Sequence, residues 1–495
     1  MTKGNKWCRS GLWWPIDQGL IMRPEPHPPT PSRRSALLLV LLLAGCGLRP
    51  DAPSSGLATP ARLVAADPRV PAAWPDADWW RGFGSPELDA LMAAANVASF
   101  DIRIAEAQLR EADANVRITG QLLLPTGNAS FTTNRSQTPL STASGVPVSG
   151  RSRFSQRVLY GAQLSATYEV DFWGRTRNSV LVQQEAAAAS NFNVGVVRIT
   201  TQASLANAYF AVLSAQEQLE IQEGNLATAE RVLAVIQSRV AAGTANGLDL
   251  AQQQTLVAQQ RAAVPPLRQS LEANLYAIGT LAGVAPQGLA VPRVPLSQVV
   301  LPPVAPGLPA EVLVRRPDVW LAEANLASAQ ANVAVARAAM LPTVQLTTTG
   351  GFQSLVFDNL LRPGSVLFQL VGSVTQPIFQ QWQLRAQRDF NQARAEELLE
   401  TYRRAIVAAL VDAETSVATL RETTLLVELQ EAATNSAERA NAISEAQFRA
   451  GTIDLITLLN TQITLFNARN QLALARLQRL QAAVGLFRAL GGGWS

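Results

Sequence analysis

The stretch "VLYGAQLSATYEVDF", Val158 to Phe172, decides how the rest of the chain is read. Every second residue from Val158 to Phe172 is apolar or small, while Gln163, Ser165, Thr167, Glu169 and Asp171 fall between them. That period of two describes a strand with one apolar face. Three further stretches read the same way: "ASFTTNRSQT" (129–138), "TVQLTTTGGF" (343–352) and "VLFQLVGSVTQPIF" (366–379). Each has about the length of a tilted strand crossing a bilayer. Polar linkers near 141–153 and 358–365 join them in pairs.

A lone hairpin in lipid leaves backbone N–H and C=O groups unpaired, so spanning β structure must close on itself. Four strands fall short of the smallest known membrane barrel, at about eight. The strands are therefore expected to be shared between chains, eight from two copies or twelve from three. The other reading of these residues is a soluble pair of β-hairpins capping a helical bundle.

Outside these strands the chain repeats itself. "AEAQLREADANVRITGQLLLP" (105–125) returns without a gap as "AEANLASAQANVAVARAAMLP" (322–342). "AAGTANGLDL" (241–250) is answered by "RAGTIDLI" (449–456), with three extra residues before the first Asp. Each half thus runs helix, Pro, alternating region, long helix, Gly-Thr break, returning helix, as internal repetition requires. The expected division is a first repeat over 96–284 (strands about 129–172, helices about 176–282), a Pro-rich connector over 285–309, a second repeat over 310–490 (strands about 343–379, helices about 380–490) and a tail over 491–495.

The helices are unusually long. Residues 380–450 contain no Gly and no Pro, and 71 residues at 1.5 Å reach about 105 Å. Support over such a length implies coiled-coil packing. After the second break, Ile456, Ile463, Asn470, Leu477 and Val484 recur every seven residues, as do Leu459, Phe466, Ala473, Leu480 and Phe487. That is an a/d seam.

At the other end, "RRSALLLVLLLAGCG" orders two arginines, an apolar core too short to span a bilayer and small residues before Cys46. Residues 1–45 are expected to be a secretory signal, with Met22 an alternative start that sets residues 1–21 aside. "LAGC" marks Cys46 for lipidation, which anchors a chain without making it span. Residues 46–95 are then a lipidated linker leading into the first repeat.

Removing 1–45 takes six of the 41 Lys/Arg and two of the 37 Asp/Glu, leaving 35 of each. The formal charge of +4 is therefore a property of the leader, and a basic surface for nucleic acid loses its basis. His27, Cys8, Lys3 and Lys6 leave with it. Histidine or cysteine catalysis, zinc sites and disulfides are excluded downstream of Cys46, and no phosphate-binding loop motif occurs. No enzyme, metal or cofactor is expected.

"DWWRGFGSPELDALMAAA" (78–95), "YEVDFWGRTRN" (168–178), "RRPDVWLAEANLASAQANVAVARAAMLP" (315–342) and "GLFRALGGGW" (485–494) together resemble the TolC-like outer-membrane efflux ducts, in their lipoprotein branch. The resemblance covers essentially the whole chain after Cys46. It implies a mainly α fold with membrane β: a homotrimer forming a 12-stranded barrel continued by a 12-helix periplasmic tunnel. It also implies a lipid-anchored outer-membrane location, a periplasmic adaptor, an inner-membrane transporter of the resistance–nodulation–division class, and passive passage of drugs or other small molecules.

The Gly243-Thr244 and Gly451-Thr452 breaks become tunnel tips where an adaptor docks. In many relatives, residues at the positions of Thr457, Asn460 and Ile463 carry the charges of an acidic constriction. Here a gate is expected from Ile456 and Asn460, with Asp454 and Asp249 the nearby acids. Hydrophobic constrictions gate by dewetting, whereas charged rings select ions. The alternative from another class is a periplasmic coiled-coil lipoprotein, adaptor or tether, without a channel.

Overall fold

The computed structural model describes residues 53–58, 60, 62–64, 74–139, 154–303 and 309–493. The expected signal, Cys46, the 140–153 linker and Trp494 lie outside the described residues. Helices α1 (Pro86–Ala98) and α2 (Phe100–Gly120) lead to strands β1 (Thr126–Pro139) and β2 (Phe154–Val170), then α3 (Arg175–Ala241), α4 (Gly247–Ala262) and α5 (Val264–Ala282). The second half runs α6 (Pro309–Arg315), α7 (Pro317–Ala338), β3 (Thr343–Ser354), β4 (Val366–Thr375), α8 (Gln381–Arg449) and α9 (Leu455–Ala489). α3 and α8 hold 67 and 69 residues, about 100 Å each.

One antiparallel sheet, β1-β2-β3-β4, gathers the four strands. Its register sorts the side chains. Ala129, Leu164, Gly350 and Phe368 form one cross-strand row, and Asn128, Ser165, Thr349 and Gln369 form the next. Alternation along each strand puts the apolar rows on one face and the polar rows on the other. β1 and β4 are edges within the chain. The helices beneath follow the same lateral order, α2 against α3, α3 against α7, α7 against α8.

The turn from sheet to helix is built from "DFWGR". The strand expected to run through Phe172 stops at Val170, because Asp171 turns to accept hydrogen bonds from the Thr176 and Arg177 N–H groups (3.1 and 2.9 Å) at the start of α3. Trp173 pins the turn by donating to the Pro342 carbonyl (2.7 Å). Similarly, the strand expected over 366–379 ends at Thr375. Pro377 cannot donate to a ladder, and the Gln376 and Gln381 amides instead bond the Met340 carbonyl (3.1 and 3.3 Å).

Two helical expectations are corrected. The returning helix of the first half is interrupted at Ala263, where Pro265 and Pro266 in the first turn of α5 remove two N–H donors. Ala263 itself stays helical (φ −78°, ψ −14°), so the break is shallow. The a/d seam of α9 also differs at its lower end. Leu459, Phe466, Ala473, Leu480 and Phe487 are buried, but Ile456 and Ile463 are 53% and 42% exposed. α9 packs on both α8 and α3, which rotates its buried face toward Leu455, Leu458 and Gln462.

The largest apolar core lies where α1, α3, α5 and α9 meet. Trp79 stacks on Phe487 (4.9 Å) and Phe83 packs on Phe210 (5.0 Å). Ser85 caps α1 by accepting from the Leu88 N–H (3.3 Å) and shares a 2.7 Å hydrogen bond with the Tyr209 hydroxyl. Beside this core the "RRPD" motif buries Arg316, which donates to Asp318 (2.9 and 2.6 Å), Asp412 (3.2 Å) and the Ala489 carbonyl (3.1 Å).

Candidate functional site

The two Gly-Thr breaks form the same turn. Gly243 and Gly451 adopt left-handed backbone, φ +74° and +75°, which glycine enters without a Cβ penalty. At the end of α3, the Gly243 N–H donates to Val240 (3.0 Å) and the Thr244 N–H to Arg239 (2.8 Å). At the end of α8, Gly451 donates to Phe448 (3.1 Å) and Thr452 to Gln447 (3.0 Å). These 5→2 and 6→1 bonds define a Schellman motif. Each Thr hydroxyl donates to the same carbonyl as its own N–H, at 3.0 Å on Arg239 and 3.1 Å on Gln447. The Gly supplies the handedness and the Thr a second bond to an otherwise orphaned carbonyl.

The acidic candidates are engaged by the returning helices. Asn246 and Asp249 form a capping box on α4, the Asp249 N–H donating to Asn246 (2.9 Å) and the Asn246 N–H to Asp249 (3.4 Å). Asp454 caps α9 by accepting from the Thr457 N–H (2.8 Å). Hydrogen bonds from the Thr457 hydroxyl and backbone hold the Asp454 carboxyl below its ordinary range. Both acids thus complement the positive end of a helix dipole.

The remaining candidates share one face. Ile456, Asn460 and Ile463 follow one another at i, i+4 and i+7 on α9, with Thr457 alongside, and all four are exposed. The opposite face joins the tips together: Leu455, Leu458 and Leu459 cluster with Ala229 and Ile236 of α3, Leu256 and Val257 of α4, and Phe448 of α8.

Sequence reasoning missed Arg239. Its guanidinium donates to the Phe448 carbonyl (3.2 Å) and lies 4.5 Å from the centre of the Phe448 ring. A cation at the end of α8 is favoured by that helix's dipole and by the ring face. The repeat alignment held the signal, since Arg239 and Phe448 both sit in the last turn before a Gly-Thr break.

Helical hairpins with a long arm of about 100 Å, carrying at the end away from their tips a sheet with one apolar face, make a fold shared with outer-membrane channels. The outer-membrane channel OprN superposes on it with a TM-score of 0.82 at 23% identity, over 90% of this chain and 99% of that one. The chain belongs to the outer membrane efflux protein family, whose profile matches residues 91–284 and 308–492. It is 39% identical over 470 residues to the pyoverdine export outer membrane protein OpmQ of Pseudomonas aeruginosa, covering 93% of this chain and 96% of that protein. The solvent efflux pump outer membrane protein SrpC of Pseudomonas putida is 28% identical over 476 residues, 93% and 98% of the two chains.

Proposed function

We propose that three copies of this chain form the exit duct of a tripartite efflux pump, closing a 12-stranded barrel in the outer membrane above a 12-helix periplasmic tunnel. One observation carries the reading: a four-stranded sheet, apolar on one face and polar on the other, with β1 and β4 unpaired in the chain. Unpaired strand edges are not tolerated in lipid. Closure through neighbouring copies removes them, presents the apolar rows to lipid and lines the lumen with Ser, Thr, Asn and Gln. Acyl chains on Cys46 add an anchor.

The duct performs no chemistry. Its partners are a periplasmic adaptor at the Gly243-Thr244 and Gly451-Thr452 tips and an inner-membrane transporter of the resistance–nodulation–division class. Pyoverdine and solvents, named for the relatives, define the cargo class: small organic molecules. The exposed stripe of α9 faces the bore, so Ile456 and Asn460 set a constriction with little fixed charge.

Detergent extracts of outer membranes should yield a heat-modifiable trimer that conducts in planar bilayers. A monomer that leaves the membrane without detergent after Cys46→Ala would overturn the duct. Conductance should rise with Ile456→Ala, and Asn460→Asp should introduce cation selectivity. Unchanged conductance in the first variant, or strong cation selectivity in the parent that only Asn460 substitution removes, would reject the neutral gate.

A further inference from the structure

Resting on the proposed trimer, we infer that α2 of each copy packs antiparallel against the upper part of α8 in the next, joined by a ladder of arginines and carboxylates. Topology leads there first. β1 follows α2 and β4 precedes α8. Pairing β4 of one copy with β1 of the next therefore sets those two helices side by side, running in opposite directions. Within a single chain they are separated by α3 and α7.

The surfaces of the two helices agree with this. On α2, Arg103, Arg110 and Arg117 recur every seven residues and are exposed, and their guanidinium groups have no ion-pair or hydrogen-bond partner among the described residues. Beside them Ile104 and Ile118 are exposed apolar side chains. Seven-residue spacing keeps such a row on one helix face. On α8, Asp389 and Glu396 are also seven apart and exposed, with Ala386 and Ala393 between turns of the same stripe, small enough for close helix approach. Trp382, at the top of that stripe, is 81% exposed.

The heights match as well. Counted from Gly120, the end of α2 nearest the sheet, Arg110 and Arg103 lie about 15 and 26 Å down. Counted from Gln381, the start of α8, Asp389 and Glu396 lie about 12 and 23 Å down. Arg117 comes level with Trp382, whose ring has Arg385 of its own chain 6.0 Å from its centre and is exposed enough for a second guanidinium. Asp389 already meets Arg388 of its own chain (2.6 Å), and that neighbouring-residue contact leaves the other carboxylate oxygen for a second arginine. One helix thus offers apolar side chains flanked by unpaired cations, and the other small residues flanked by anions.

Paired cysteines test this directly, because Cys46 is the only other cysteine after the signal and its sulfur is acylated under the proposed reading. A chain carrying Arg110→Cys with Asp389→Cys, oxidised in isolated outer membranes, should give reducible dimers and trimers on denaturing gels. Arg110→Cys with Glu428→Cys, far down α8, should not. In parallel, Arg110→Glu should weaken the heat-modifiable trimer band and Asp389→Arg should restore it. A trimeric paired-cysteine protein that yields no cross-link overturns the inference while leaving the trimer intact, as does reversal without rescue. Absence of any trimer in the parent protein overturns the trimer itself.

Discussion

Gly491, Gly492 and Gly493 explain a motif that composition leaves mute. All three have positive φ (+93°, +55° and +70°), and a Cβ on Gly493 would stand 2.1 Å from the Asp76 carbonyl oxygen. The C-terminal run closes against the chain just before the Trp79 helical turn, so no side chain fits there. Gly493→Ala should lower stability by more than about 2 kcal/mol, adding a clash to left-handed strain. Gly224→Ala, exposed in the middle of α3 with open space around it, should instead stabilise by up to about 1 kcal/mol. Thermal unfolding of the two variants measures both signs, and equal effects would refute the distinction. At this scale the sequence showed which residues matter, but not what they touch. The "RRPD" and "ALGGGW" motifs were legible as words. That Arg316 of one reaches the Ala489 carbonyl of the other depends on a meeting of residues 173 positions apart, which no local pattern encodes.

Among elements, periodicity decided how much was legible. Strands β1 to β4 show period two and α3 and α8 lack breakers, so both stood out from the sequence. Strand ends did not, because Val170 and Thr375 are final residues only by virtue of contacts made by Asp171, Trp173 and Gln376 elsewhere. The break at Ala263 is written in Pro265-Pro266, which take two N–H donors out of the first turn of α5. The face of α9 was harder still, since a helix touching two neighbours buries more than an a/d stripe. Gln462 is the clearest case: it is fully buried, and neither amide atom has a partner among the described residues. A buried amide without partners costs about 1–3 kcal/mol. Gln462→Leu, close in volume, should therefore raise the midpoint of thermal unfolding, and an unchanged or lowered midpoint would show that the amide is satisfied in the assembled protein. Arg239 clamps the neighbouring tip by a hydrogen bond and a ring contact, so the stabilised variant should keep the two hairpins in register.

For the whole molecule the decisive feature is what can titrate. After Cys46 the chain has no His, Lys or further Cys, and its remaining carboxyl, phenol and guanidinium groups ordinarily titrate below about pH 5 or above about pH 9. The resolved shifts mostly move groups further out. Tyr402, half-buried and donating to Glu323 (3.0 Å), is pushed up to about 12, and Asp454 is held low. Among the described residues only Glu185 moves inward, raised first by burial and then by the charge of Glu323. The signs follow from linkage. Asp454 contributes stability above its ordinary value that is lost as pH falls through its lowered one. Glu185, bound more tightly to its proton in the folded chain, contributes stability below its ordinary value that is lost as pH rises through its raised one. Ile456, Thr457, Asn460 and Ile463 carry no titratable group. Single-channel conductance should therefore stay flat between about pH 6 and about pH 9. The loss of stability as pH rises through the raised Glu185 value should disappear in Glu185→Gln. A conductance step near neutrality would place a titrating group in the bore and remove the basis for a neutral gate.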